Sequence, residues 1–127
     1  MKATSKARTG VRLALSALYA LAGTAHLAAP AGFLAITPGW VPDPALVIMV
    51  TGICEVAGAF GLLWRPTRRA AGLALAAYAI CVYPANIHHA LYGLPAHFIQ
   101  LGLWYHIPRL LFQPVLVWAA LFASRWA

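Results

Sequence analysis

Carboxylates are almost missing from this chain: of 127 residues only Asp43 and Glu55 are acidic, against nine Lys and Arg. Charged residues of all kinds make up 9% and hydrophobic ones 63%, too little polar material to give a water-soluble domain a hydrated surface. Also lacking are a phosphate-cradling glycine loop, a nucleophile beside an oriented base, and any stretch that could form a soluble catalytic domain. The two cysteines, Cys54 and Cys81, do not form a CxxC pair. What remains is the composition of an all-α integral membrane protein.

Crossing a hydrocarbon core of about 30 Å takes roughly 20 apolar residues per helix. Four such runs are present, Val11–Ala29, Ala45–Trp64, Ala70–Leu91 and Pro108–Ser124, and they predict a single domain over residues 1–127, a four-helix bundle. A Pro-rich connector, Pro30 to Pro44, follows the first run, and a tight link, Arg65 to Arg69, separates the second from the third. The last connector, Tyr92–Ile107, is aromatic, with a short interfacial helix expected over Ala96–Tyr105. The N-terminal run has the basic start and apolar Leu13–Ala22 core of a signal peptide. Pro30 directly after the small residues Ala28 and Ala29, and His26 among them, argue instead for a retained span.

The net charge of +7 would suggest nucleic acid in a soluble protein, but here the basic residues follow the membrane. Lys2, Lys6, Arg8 and Arg12 precede span one, Arg65, Arg68 and Arg69 lie between spans two and three, and Arg125 follows span four. With four spans they all fall on one side, which the positive-inside rule assigns to the cytoplasm. Both termini are therefore expected in the cytoplasm of a multi-pass protein of the bacterial inner membrane. Its predicted partner is the lipid bilayer, not nucleic acid. Trp40 and Trp104 would join the outer aromatic belt, Trp64 and Trp126 the inner one.

Arg109 is the basic residue on the other side, and alone it would be an interfacial anchor. It has polar company. Span one carries Arg12, Ser16, Tyr19, Gly23 and His26 on one helical face, and span two carries Thr51, Glu55 and Gly58. Span three ends in Tyr83-Pro84-Ala85-Asn86-Ile87-His88-His89, where Pro84 should kink the helix and free a carbonyl, and span four places Gln113 one turn from Arg109. Polar side chains in lipid turn toward the bundle interior, so the stripes predict an outward-opening pocket containing His26, Glu55, Asn86, His89, Arg109 and Gln113. Glu55, near the midplane, is the candidate proton carrier. A carboxylate at that depth costs about 2.5–3.5 kcal/mol to insert, so it should either pair with Arg109 as an ionised structural partner or stay neutral.

Several of these residues fall into a known pattern. Gly23-Thr24-Ala25-His26-Leu27, Val50-Thr51-Gly52-Ile53-Cys54-Glu55-Val56-Ala57-Gly58, Tyr83-Pro84-Ala85-Asn86-Ile87 and Arg109-Leu110-Leu111-Phe112-Gln113 together resemble the DoxX-like family of small four-span membrane proteins. His26, Glu55, Pro84, Asn86, Arg109 and Gln113 match the pattern. Leu27 stands where many relatives have Phe, and Leu111 where Pro is usual. The resemblance implies a four-span topology and a link to a thiosulfate-to-quinone oxidoreductase system, hence a redox-associated subunit near the quinone pool.

A quinone headgroup needs hydrogen-bonding groups and a proton route, which His26, Glu55 and His89 would supply. Cys54 and Cys81 lie at similar depth by helical rise, which permits a thiol pair between spans two and three; buried small apolar residues are the plainer reading. Two other classes use the same residues. One is a small-molecule or lipid-binding bundle like the four-span sterol isomerases, although a single central acid is fewer than those generally need. The other is a non-catalytic assembly partner, held by a polar network and by close helix approach at Gly52, Gly58, Gly61, Ala70 and Ala74. Haem or metal at His26, His88, His89, His97 and His106 is disfavoured, because their spacings match no ligand motif. A redox partner protein and homo-oligomerisation are compatible with either class.

Overall fold

Lipid offers no hydrogen bonds to a bare backbone, so each apolar run must close its own ladder as a helix. The computed structural model describes residues 2–37, 39–92 and 103–126. They form α1 (Lys2–Ala28), α2 (Pro30–Ile36), α3 (Pro44–Leu63), α4 (Arg65–Tyr92) and α5 (Leu103–Ala123), with no strand among the described residues. All but α2 contain a segment long and apolar enough to cross a membrane. The protein is an all-α, multi-pass membrane bundle.

Boundaries shift where prolines and basic residues stand. The link expected over Arg65–Arg69 is helical, because α4 starts at Arg65 and Pro66 falls in its first turn, where a missing N–H is harmless. Only Trp64 separates α3 from α4. The connector after α1 contains α2, with Pro30 at its start. Helix α5 begins at Leu103, so Arg109 lies inside it and not in the first turn behind Pro108. Of the expected interfacial helix over Ala96–Tyr105, the part before Leu103 lies outside the described residues, and the remainder belongs to α5.

Helix α1 packs on α3, α3 on α4, α4 on α5, and α5 returns to α1, a closed ring with α2 laid against one end. The apolar core occupies only one half of this ring. Leu15 of α1, Ala59 and Leu62 of α3, Leu75 and Ala76 of α4, and Ala119 and Ala120 of α5 all lie toward the end that holds the basic residues. The outward faces are apolar, with Leu21, Phe60, Ile80 and Leu111 more than half exposed, as helices in contact with lipid require.

Two glycines set the seam between α1 and α3. A Cβ on Gly23 would lie 2.7 Å from the Gly52 carbonyl oxygen, and one on Gly52 would lie 2.8 Å from His26 Cβ. With no side chains between them the backbones approach closely, the device that lipid-embedded helices use in place of a hydrophobic driving force. Gly58 and Gly61 instead make room for side chains of α4, those of Leu75 and Ala71.

Helix α4 continues through Pro84, and α5 through both Pro108 and Pro114. Pro114 has no N–H to offer the carbonyl four residues back, Leu110. The Tyr83 hydroxyl donates to that carbonyl at 3.2 Å, so a side chain of the neighbouring helix replaces the missing backbone donor.

Candidate functional site

The half of the ring away from the core is hollow. A cavity of about 600 Å³ lies between α1, α3, α4 and α5, bordered by α2 and the connector after it. That is within the roughly 300–1,000 Å³ of small-molecule sites. Most of its wall is apolar, supplied by residues such as Leu18, Ile48, Val82, Phe112 and Leu116. Its polar groups include those the helical stripes predict: His26 from α1, Thr51 and Glu55 from α3, Asn86 from α4, Arg109 and Gln113 from α5. The side chain of His89, expected with them, lies outside the described residues, as does His97.

These polar groups form two clusters with different hydrogen-bond balance. In the first, Arg109 Nη2 donates to Asn86 Oδ1 at 2.7 Å, Asn86 Nδ2 donates to Gln113 Oε1 at 3.1 Å, and Gln113 Nε2 donates to the Ala79 carbonyl at 2.7 Å. The chain crosses three times between α4 and α5, and both amide side chains serve as donor and acceptor. It pins the two helices that carry prolines. The carbonyl it uses, Ala79, lies next to the one that Pro84 deprives of its donor, Ile80.

The second cluster is incomplete. Tyr78 donates its hydroxyl to Glu55 Oε1, while Glu55 Oε2 has no hydrogen-bond partner among the described residues although Glu55 is only 4% exposed. His26 Nδ1 lies 3.4 Å from Oε2, but the same nitrogen is 2.8 Å from the Ala22 carbonyl. A carbonyl only accepts, so the Nδ1 proton is directed at Ala22 and reaches Oε2 as a long second contact. Phe33 of α2 stacks on the His26 ring with centroids 3.7 Å apart, which holds the imidazole at the cavity wall. Tyr19 packs edge-on against Tyr78, centroids 6.2 Å apart, and supports it from α1.

The pairing of Glu55 with Arg109, one of the two settings open from sequence, is not formed: Arg109 is engaged by Asn86 and Glu55 by Tyr78 and His26. The proposed thiol pair is also not formed. Cys54 and Cys81 are free and exposed, because each neighbours the buried stripe of its helix and so turns outward; Cys81 reaches the cavity edge. Among the described residues no three His, Cys, Asp or Glu side chains come together as a metal site.

Sequence reasoning missed Tyr78 and Phe33. Tyr78 had a signal, since it precedes Asn86 by two turns with Val82 between, all three lining the cavity. Phe33 had none, because it reaches His26 only through the short helix formed inside the connector.

Residues 15–124 match the family described as Domain of unknown function (DUF8561), and the chain belongs to that family. No curated protein and no solved structure gives a significant match.

Proposed function

We propose that the protein is a redox-associated subunit of the bacterial inner membrane, DoxX-like in kind, whose cavity receives a quinone-type headgroup with Glu55 as the proton-carrying acid. One observation carries this reading: Glu55 lines a cavity of ligand size, and its buried Oε2 has no hydrogen bond beyond the long contact with His26. An unpaired acid in lipid is costly, and a ligand hydroxyl or carbonyl meeting Oε2 removes that cost. A flat ring fits between the apolar walls, and an isoprenoid tail finds a matching apolar exterior beyond them.

Oxidation of a bound quinol releases two protons and two electrons. Glu55 takes one proton at Oε2, the second leaves by way of His26 Nε2 toward the mouth of the cavity, and both electrons pass to a redox partner protein. Tyr78 fixes the carboxyl group through Oε1, so that Oε2 stays aimed at the ligand. The basic end faces the cytoplasm, with both termini, and the cavity opens on the opposite side.

A purely structural role suits the Arg109–Asn86–Gln113 chain, which is satisfied within the protein. It does not account for Glu55 Oε2. Titration of the purified protein with a short-chain quinone, followed through the fluorescence of Trp40 at the cavity edge, tests the proposal. Glu55→Leu, which removes the acid proton that would be donated to a quinone carbonyl, should weaken binding about tenfold, the value of one hydrogen bond. Equal affinity in the two proteins, or no saturable quenching in either, refutes it.

A further inference from the structure

The opposite end of the bundle holds a second polar assembly that the cavity does not use. There the C-termini of α3 and α5 meet the N-termini of α1 and α4. Arg12 donates Nε to the Ala123 carbonyl at 3.1 Å, and Arg8 donates Nη1 to Phe122 while lying 4.5 Å from the centre of its ring. Arg68 donates Nε to Leu62 at 2.8 Å and Nη2 to Leu63 at 3.0 Å. Trp126 donates its indole N–H to the Arg69 carbonyl at 2.7 Å, and the Arg69 guanidinium lies 4.0 Å from the indole centre. The arginines are therefore tied to helix ends and not splayed into water.

Arg12 stands within the fields of Arg68, Arg125, Arg8 and Arg65. Neither of the chain's two acidic side chains stands among them. Of the chain's two acids, Glu55 belongs to the cavity and Asp43 precedes α3 at the far end. Two helix C-termini at this end supply about half a negative charge each, less than the charge the arginines bring. Arg12 spends only Nε on the protein, and Arg68 spends Nε and Nη2, so among the described residues both Nη groups of Arg12 and Nη1 of Arg68 have no acceptor. Leu13 of α1 and Trp118 of α5 are exposed, and the Trp118 ring stacks on half-buried Phe122, whose ring lies under Arg8.

We propose that this end is a binding site for the phosphate of an anionic membrane lipid, centred on Arg12 and Arg68 with Arg65 and Arg125 at its rim. Guanidinium forks match phosphate oxygens, and their anchoring on helix carbonyls holds them in place before the lipid arrives. A lipid is favoured over free phosphate because the helices at this end expose apolar side chains, Leu13 and Trp118 among them, to acyl chains.

Native mass spectrometry of the full-length protein tests this with phosphatidylglycerol and phosphatidylcholine at equal concentration. Phosphatidylglycerol should be retained preferentially. At about fivefold per neutralised cation, Arg12→Gln with Arg68→Gln should lower that retention about 25-fold, whereas Lys6→Gln, away from the forks, should change it less than twofold. Because Arg12 and Arg68 also cap helix ends, Arg65→Gln with Arg125→Asn gives a variant that keeps those contacts and should lose about tenfold or more. Asn suits the left-handed backbone of Arg125, φ 68°. Equal retention of the two lipids overturns the proposal, as does wild-type retention in a folded double variant or an equal loss in Lys6→Gln. Saturable binding of inorganic phosphate that displaces the lipid assigns the site to the free ion and likewise overturns it.

Discussion

Gly23→Ala separates helix propensity from packing, because the two predict opposite signs. In an exposed helix, Ala for Gly stabilises by about 0.8–1 kcal/mol. Gly10, in the same helix, is such a position: a Cβ there meets nothing within 4 Å. At Gly23 the added carbon would lie 2.7 Å from the Gly52 carbonyl oxygen, 2.7 Å from Val56 Cγ2 and 3.0 Å from Glu55 Cβ. The oxygen belongs to a helix backbone and cannot rotate away, so α1 and α3 must separate. Overpacking of this kind costs about 1–3 kcal/mol, which leaves Gly23→Ala neutral to about 2 kcal/mol destabilised and about 1–3 kcal/mol below Gly10→Ala. Reversible unfolding in mixed detergent, with the two variants measured side by side, reads the difference. The same separation draws His26 away from Glu55 and should weaken the quinone titration. Gly23→Ala as stable as Gly10→Ala would refute the close approach and, with it, the placement of His26 beside the acid.

Gln113→Leu leaves Asn86 Nδ2 without its acceptor inside the bundle and removes the side-chain donor to the Ala79 carbonyl, and should cost about 1–3 kcal/mol in the same unfolding assay. Tyr83→Phe should cost about 0.5–1.5 kcal/mol, and the loss should shrink toward zero in a Pro114→Ala background, where a backbone donor again serves Leu110; a double-mutant cycle without coupling contradicts this. Alkylation of Cys81, at the cavity edge, with a membrane-permeant maleimide should abolish quinone quenching in a Cys54→Ala protein. Alkylation of Cys54 in a Cys81→Ala protein should leave quenching intact, since Cys54 is exposed away from the cavity.

Much of the site was legible because helices impose a period. Ser16, Tyr19, Gly23 and His26 recur at helical spacing, and in lipid a polar stripe has one favourable direction, inward; the same holds for Thr51 with Glu55 and for Arg109 with Gln113. Rotation of one helix against another leaves no such mark. Depth counted along α3 and α5 could not say whether Arg109 reached Glu55, because Asn86 on α4 competes for the guanidinium and Tyr78 for the carboxylate. The thiols show the same gap: Cys54 and Cys81 were matched in depth, yet both are free and exposed, and Cys81 alone of the two borders the cavity. The start of α5 was misplaced for another reason, since Pro108 is a good first residue but also tolerated inside a helix whose neighbours serve the freed carbonyls.

The sequence alone determined the solvent and the architecture. Four apolar runs without carboxylate partners leave helices as the only way to satisfy the backbone, and the basic residues collect at one end of the bundle. Tertiary structure decided which polar groups are spent on one another. The Arg109–Asn86–Gln113 chain closes between α4 and α5, whereas Glu55, at the cavity wall, keeps one buried oxygen without a hydrogen bond, because the close α1–α3 seam at Gly23 and Gly52 brings His26 near it with its proton already committed to Ala22. That difference depends on ångström-scale distances between helices, which no spacing within a single helix encodes.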